Sequence, residues 1–293
     1  MQISRSLLIL SSLIAILALV ASAGGVFWDG DGQSFEFTSL RGQTVEIYGR
    51  GLYKYDSMSI VTQAKAQDTI TLVLAIPLLV AAIIWSGKGK LRGKLLHLGI
   101  LSYFLYTYAS YCFLSAYNPF FLLYVTLFSM SLFAFVLAFI QIDVQALPAH
   151  IHDLPRRGIV TFYFCVGVFL AFMWLGLTVP TIFDGSAPEA LESYTTLVIQ
   201  ALDLGIIVPL AILTGLLLLQ EKPWGYVLSA VILIKGLTLG TAVFAMAIAQ
   251  IRAGENVSPV VAGIFGALAL ISTILSIVYL RKVEEPPTEQ PQI

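Results

Sequence analysis

Long stretches of this chain carry no charge at all. Residues 6–28, 69–87, 95–142, 158–183 and 256–280 contain no Asp, Glu, Lys or Arg, and 196–251 is interrupted only at Asp203, Glu221, Lys222 and Lys235. A bilayer core about 30 Å thick is crossed by about 20 apolar residues of helix. Each run meets that length or nearly so, and 95–142 is long enough for two spans. Charged residues make up 11% of the chain, against about 25% in soluble domains. The expected fold is therefore an all-α polytopic membrane protein with lipid as its first partner. Spans are expected at 6–28, 69–86, 95–114, 120–142, 158–182, 195–220, 225–251 and 259–280, eight in all, or seven if the N-terminal segment is removed as a signal.

Residues 1–27 admit both readings. Arg5, the apolar run Leu7–Val20 and Ala21-Ser22-Ala23 have the form of a cleavable signal. The apolar character continues to Trp28, however, and that length favours a retained first helix. Orientation follows from the short loops. With the N-terminus inside, Lys88, Lys90, Arg92, Lys94, Arg156, Arg157, Lys222, Arg281 and Lys282 join Arg5 on the cytoplasmic side. The opposite side holds Arg41, Arg50, Lys54 and Lys65, all in one long loop, and Arg252. The positive-inside rule then places the chain in a cell membrane (plasma or inner) as a multi-pass protein with a cytoplasmic C-terminus. Residues 69–282 form the bundle, and the Pro- and Glu-rich tail 283–293 is expected to be disordered.

Residues 28–68 form the one sizeable polar segment. Phe35-Glu36-Phe37 and Val45-Glu46-Ile47 alternate and predict an extracytoplasmic β-hairpin between spans one and two. Asp56-Ser57 is an N-cap for a helix leading into span two. Asp29-Gly30-Asp31-Gly32 lacks the further acidic ligands of a calcium loop and reads as a turn. A net charge of −1 gives no support to a nucleic-acid partner, and no metal or cofactor set is apparent. His150 and His152 have only Asp153 beside them, too few ligands for zinc.

An internal correspondence runs through the chain. When Pro77 is laid on Pro209 without gaps, Lys90 falls on Lys222, Gly93 on Gly225 and Tyr103 on Lys235. That pattern predicts a tandem repeat of four plus four helices, related by an axis along the membrane normal as in parallel-repeat transporters.

The candidate site follows from depth. Asp203 and Lys235 cannot be placed near a span end, and at 1.5 Å per residue each lies about 13–15 Å deep. Such residues are costly in a bilayer and mark function or a fixed contact between helices; the sequence leaves both readings open. Gln200 and Thr238 stand one turn from them. Tyr103, Tyr106, Thr107 and Ser110 form a polar stripe on span three, and Asp68 precedes Pro77 as Asp203 precedes Pro209. These residues are expected to line a shared cavity. Pro77, Pro180 and Pro209 predict kinks, and Gly236 and Gly240 predict close helix packing. No nucleophile–base pair or metal set indicates an enzyme. The best-supported expectation is a carrier of a small solute or ion with an Asp203/Lys235 site at mid-depth. The alternative is a receptor or accessory subunit that binds a protein partner through 28–68.

Overall fold

The computed structural model describes residues 3–255 and 257–286. It contains seven helices long and apolar enough to cross a membrane: Arg5–Phe27, Met58–Gly87, Phe121–Ile140, Arg156–Asp184, Val198–Leu219, Pro223–Ala253 and Pro259–Arg281. The chain is thus a multi-pass membrane protein. Taken in order, the helices are α1 (Arg5–Phe27), α2 (Met58–Ile70), α3 (Ile76–Gly87), α4 (Leu91–Leu114), α5 (Phe121–Ile140), α6 (Arg156–Asp184), α7 (Val198–Leu202), α8 (Val208–Leu219), α9 (Pro223–Ala253) and α10 (Pro259–Arg281).

Helix α4 is as long as its neighbours but too rich in Tyr, Ser and Thr to stand among the apolar seven. Its position follows from that composition. A hydroxyl facing hydrocarbon lacks a partner, and α4 is wrapped by α3, α5 and α9. Near its basic-loop end, buried His97 links three helices, with Nε2 2.7 Å from Ser11 Oγ and Nδ1 3.0 Å from Ser86 Oγ. Helix α1 is integrated into the bundle through this contact and through its packing on α5, α2 and α3.

Two segments share their local geometry. A π-helical turn covers Thr71–Ala75 between α2 and α3, and another covers Asp203–Ile207 between α7 and α8. Each is followed by a proline at the second helical position, Pro77 and Pro209. Proline has no N–H and frees a carbonyl one turn earlier, and the widened turn absorbs the mismatch. Pro180, expected to kink the chain similarly, lies inside the unbroken α6. The turns after α3 and α8 also correspond. Gly89 and Glu221 both have positive φ, and the N–H groups of Lys90 and Lys222 return to the carbonyls of Trp85 and Leu217 at 3.2 and 2.9 Å. Gly93 and Gly225 then pack directly on the ends of the preceding helices, where a Cβ would collide with backbone.

The hairpin is present as expected. Strands β1 (Phe35–Thr38) and β2 (Thr44–Ile47) pair antiparallel, Phe35 opposite Ile47 and Thr38 opposite Thr44. Ser57 caps α2 by accepting from Ile60 N at 3.2 Å. At the opposite end of the bundle the expectation for the tail needs correction. Val283 bridges Ile151, Glu284 N donates to His150 O at 2.7 Å, and Arg92 Nε donates to Val283 O at 2.7 Å. Val283 and Glu284 are held by backbone pairing that composition does not reveal; 287–293 lie outside the described residues.

The α4–α9 crossing is close because Gly99 meets Ile234 and the Ala230 carbonyl. Gly99→Leu should therefore lower the melting temperature markedly, since overpacking costs about 1–3 kcal/mol. Gly176→Leu, where no atom lies near the added Cβ, should melt like the unaltered chain in the same scan.

Candidate functional site

Asp203 is the first residue of the second π-turn. Such turns widen the helix and are frequent at functional sites. Both carboxylate oxygens are occupied: Tyr106 Oη donates to Oδ1 at 2.6 Å and Trp174 Nε1 donates to Oδ2 at 2.9 Å. Lys235 stands on the other side of Tyr106, with Nζ 3.7 Å from the ring centroid. Among the described residues no ion pair joins Asp203 to Lys235 directly. Tyr106 mediates between them, its hydroxyl serving the acid and its ring face the base. A desolvated cation–π contact contributes about 2 kcal/mol, whereas a lysine at the centre of a membrane helix costs about 2.5–3.5 kcal/mol. The ring alone does not offset that cost, so the ammonium retains donor capacity toward the space in front of it.

That space is a cavity of about 410 Å³ bounded by α2, α4, α6, α7, α8, α9 and α10, within the size range of ligand pockets. Asp203, Lys235, Trp174, Tyr106, Thr107 and Ser110 line it, and Gln63, Gln67 and Gln250 add polar groups toward the hairpin end. Tyr111, Ser115 and Ser272 also border it, and the remaining wall is apolar. Helix α7 begins at Val198, later than the sequence suggests, so Asp203 lies only about 8 Å from the hairpin end of its helix. Asp203 therefore stands nearer that end than the sequence suggests, whereas Lys235 lies well inside α9.

Not every expected residue reaches the cavity. Tyr103 is buried one layer behind it, bonded to Gln67 Nε2 at 2.8 Å and Thr71 Oγ1 at 2.7 Å; Gln67 also reaches Thr107 Oγ1 at 3.0 Å. With Pro77 laid on Pro209, the bonded pair Thr71–Tyr103 occupies the positions of Asp203 and Lys235. Asp68 belongs to a separate buried cluster, accepting from Tyr53 Oη at 2.5 Å and Tyr111 Oη at 3.0 Å. Thr238 turns back to Ile234 O at 2.9 Å. Gln200 is buried without lining the cavity. These residues share helix faces with the site, but packing points their side chains elsewhere. Gly236 faces Ser272 and Gly240 faces Ala269, which seats α10 on α9 as the small-residue spacing predicts. Sequence reasoning missed Trp174. Its depth within α6, away from the interfacial belts where Trp is usual, was the available signal.

The hairpin end is covered. The segment after α6 turns back onto the hairpin, where Arg41 Nη2 donates to the carbonyls of Glu192 and Tyr194 at 3.1 and 2.6 Å and Gln43 Nε2 to Glu189 O at 3.2 Å. Tyr194 Oη donates to Asp56 Oδ1 at 2.9 Å, which also accepts from Ala116 N at 2.8 Å. Glu192 accepts from Ser57 Oγ. Gln250 Nε2 donates to Ser59 Oγ at 3.1 Å and ties α9 to α2. Asp29 of the glycine-rich turn is held by Lys65 at 2.8 Å and lies 3.9 Å from Arg50; its acidity is increased chiefly by the bond from Lys65.

A scan of protein-family models gives no match, and searches of curated proteins and of solved structures find no similar chain.

Burial pushes the Asp56 carboxyl up to about 6, and burial also raises that of Glu192. Groups whose folded pKa is raised stabilise most when protonated. The contribution is full below the unfolded value and is lost as pH rises through the folded one. Melting should accordingly move to lower temperature between about pH 4 and about pH 6, by at most about 3 kcal/mol from Asp56. Asp56→Asn should flatten most of that dependence in parallel melts; an unchanged pH profile would remove Asp56 from this role.

Proposed function

We propose that this protein is a carrier in a cell membrane and moves a small solute or ion through the Asp203/Lys235 cavity without converting it chemically. The observation that carries this reading is the cavity itself. An acid and a base that are costly in a bilayer both face one space of ligand size, and they are not locked to each other. A fixed helix-to-helix contact would close the pair directly; here Tyr106 separates the two charges and leaves the ammonium available.

The wider arrangement supports the same reading. Helix α4 is taken as an eighth crossing, with both termini and the basic loops 87–94 and 143–157 on the cytoplasmic side. The shared π-turns, prolines and glycine-packed turns support two tandem halves of four helices, an organisation common among carriers. In the first half the positions of the charged pair hold the neutral, mutually bonded Thr71 and Tyr103. Function is thereby concentrated in the second half.

A receptor or subunit reading draws on a different feature, a groove of about 440 Å³ between β1 and the 193–196 segment, lined by Phe35, Phe37 and Tyr55. The hydrogen bonds that fasten the hairpin to its own chain favour a cap over a docking module.

Asp203→Asn keeps the shape of the side chain and the donors around it. In proteoliposomes loaded with a panel of small organic acids, amines and alkali cations, it should abolish the flux that the unaltered chain supports while melting normally. If Asp203→Asn and Lys235→Met each unfold the protein and the double change restores it, the pair is a structural contact and the carrier reading fails.

A further inference from the structure

We infer that the cavity takes a single-chain amphiphile with an anionic headgroup, which enters sideways from the bilayer between α6 and α10 and sets its headgroup against Lys235. The inference rests on the carrier reading and names the class of solute.

The headgroup charge follows from what is already satisfied. Tyr106 and Trp174 fill both oxygens of Asp203, so the acid makes little demand on a ligand. Lys235 is a three-proton donor with the Tyr106 ring beneath it and no hydrogen bond or ion pair on Nζ among the described residues. A carboxylate completes the site: one oxygen accepts from Lys235, and the indole and hydroxyl donors remain on Asp203.

The tail follows from the walls. The wall beside Lys235 is formed by Val166 and Leu170 of α6, and toward the hairpin end it continues with Val261, Phe265 and Leu268 of α10. Lys235 to Gln250 spans about 22 Å of helix, enough for an extended alkyl chain. This stretch of α6 and α10 offers a polar solute no partner, the amides of Gln63, Gln67 and Gln250 standing on α2 and α9 instead, whereas an alkyl chain buries about 0.8 kcal/mol per methylene relative to water.

The route follows from packing. Helices α1 and α5 of the first half run along one another. Helices α6 and α10 do not; they meet where the rings of Phe169 and Phe265 stand edge-on at 5.8 Å. The outward faces of this seam, among them Phe172 and Val260, are exposed and apolar. Toward the hairpin, by contrast, the Gln250–Ser59 bond ties α9 to α2 where Gln250 lines the cavity, and the Arg41 and Tyr194 contacts hold the 189–196 segment onto the hairpin and the turn before α2. The proposed entry is therefore the lipid side.

The test uses 2-bromododecanoate, whose bromine sits beside the carboxylate and quenches a nearby indole. The chain is placed in nanodiscs with Trp28, Trp85 and Trp224 replaced by Phe, leaving Trp174 as the reporter. Quenching should saturate, be relieved by dodecanoate but not by dodecyltrimethylammonium or acetate, and weaken by at least about tenfold in Lys235→Met. As a check that needs no tryptophan changes, dodecanoate should raise the melting temperature of the unaltered chain and not that of Lys235→Met. Acetate competing as well as dodecanoate would overturn the amphiphile while leaving the carrier site in place. Unsaturable quenching indifferent to Lys235→Met would overturn the headgroup contact. The carrier reading is judged separately by the flux of Asp203→Asn.

Discussion

The bundle is built around a helix that lipid would reject. Between Ser102 and Tyr111, α4 carries hydroxyls on nearly every face, and in hydrocarbon each needs a protein partner. Wrapping α4 with other helices supplies partners for three of its tyrosines, while Ser102 and Ser110 bond within α4 and Tyr108 Oη stays buried without a partner among the described residues. Tyr103 finds Gln67 and Thr71, Tyr111 finds Asp68, and Tyr106 finds Asp203. The polar groups of α2, α7 and α9 are drawn inward by the same requirement, and the apolar faces of α1, α5, α6 and α10 are left to meet lipid. Interhelical hydrogen bonds in membranes contribute only about 0.6 kcal/mol on average. Their role here is to specify which faces meet more than to hold the bundle together.

Tyr106 is where this arrangement becomes a site. One side chain accommodates a carboxylate at its hydroxyl and an ammonium on its ring face, and it keeps the two from collapsing onto each other. The π-turn contributes by widening the helix at Asp203, and Pro209 stabilises that widening because its missing N–H cannot restore the regular turn. At the other π-turn, Thr71 bonds to Tyr103 and no charge is left. Two segments with the same backbone thus have opposite chemical character, one sealed and one open.

The cap at the hairpin end contains carboxyl groups whose burial is only partly offset by donors. Asp56 Oδ1 receives Tyr194 and Ala116 while Oδ2 is buried without a partner among the described residues, and Glu192 receives Ser57. This gives the segment at the hairpin end a dependence on pH.

The membrane-spanning character, basic loops, the β-hairpin and the N-cap at Ser57 were legible in the sequence, because each follows from length, periodicity or composition. The correspondence of Pro77 with Pro209 was legible as spacing, but the π-turns behind it were not, since a widened turn leaves no mark in composition. Side-chain direction was also out of reach. Tyr103 and Tyr106 read alike on one stripe, yet packing turns one toward Gln67 and the other toward Asp203. Trp174 was marked only by its depth, with nothing to name Asp203 as its partner, and Val283 and Glu284 looked like part of a solvated tail. The sequence by itself determined that the chain crosses a membrane many times and that Asp203 and Lys235 must be explained. Only the tertiary structure decided that they share one cavity with Tyr106 between them, because the meeting of α4, α6, α7 and α9 depends on which faces pack, and that is a property of the assembled bundle.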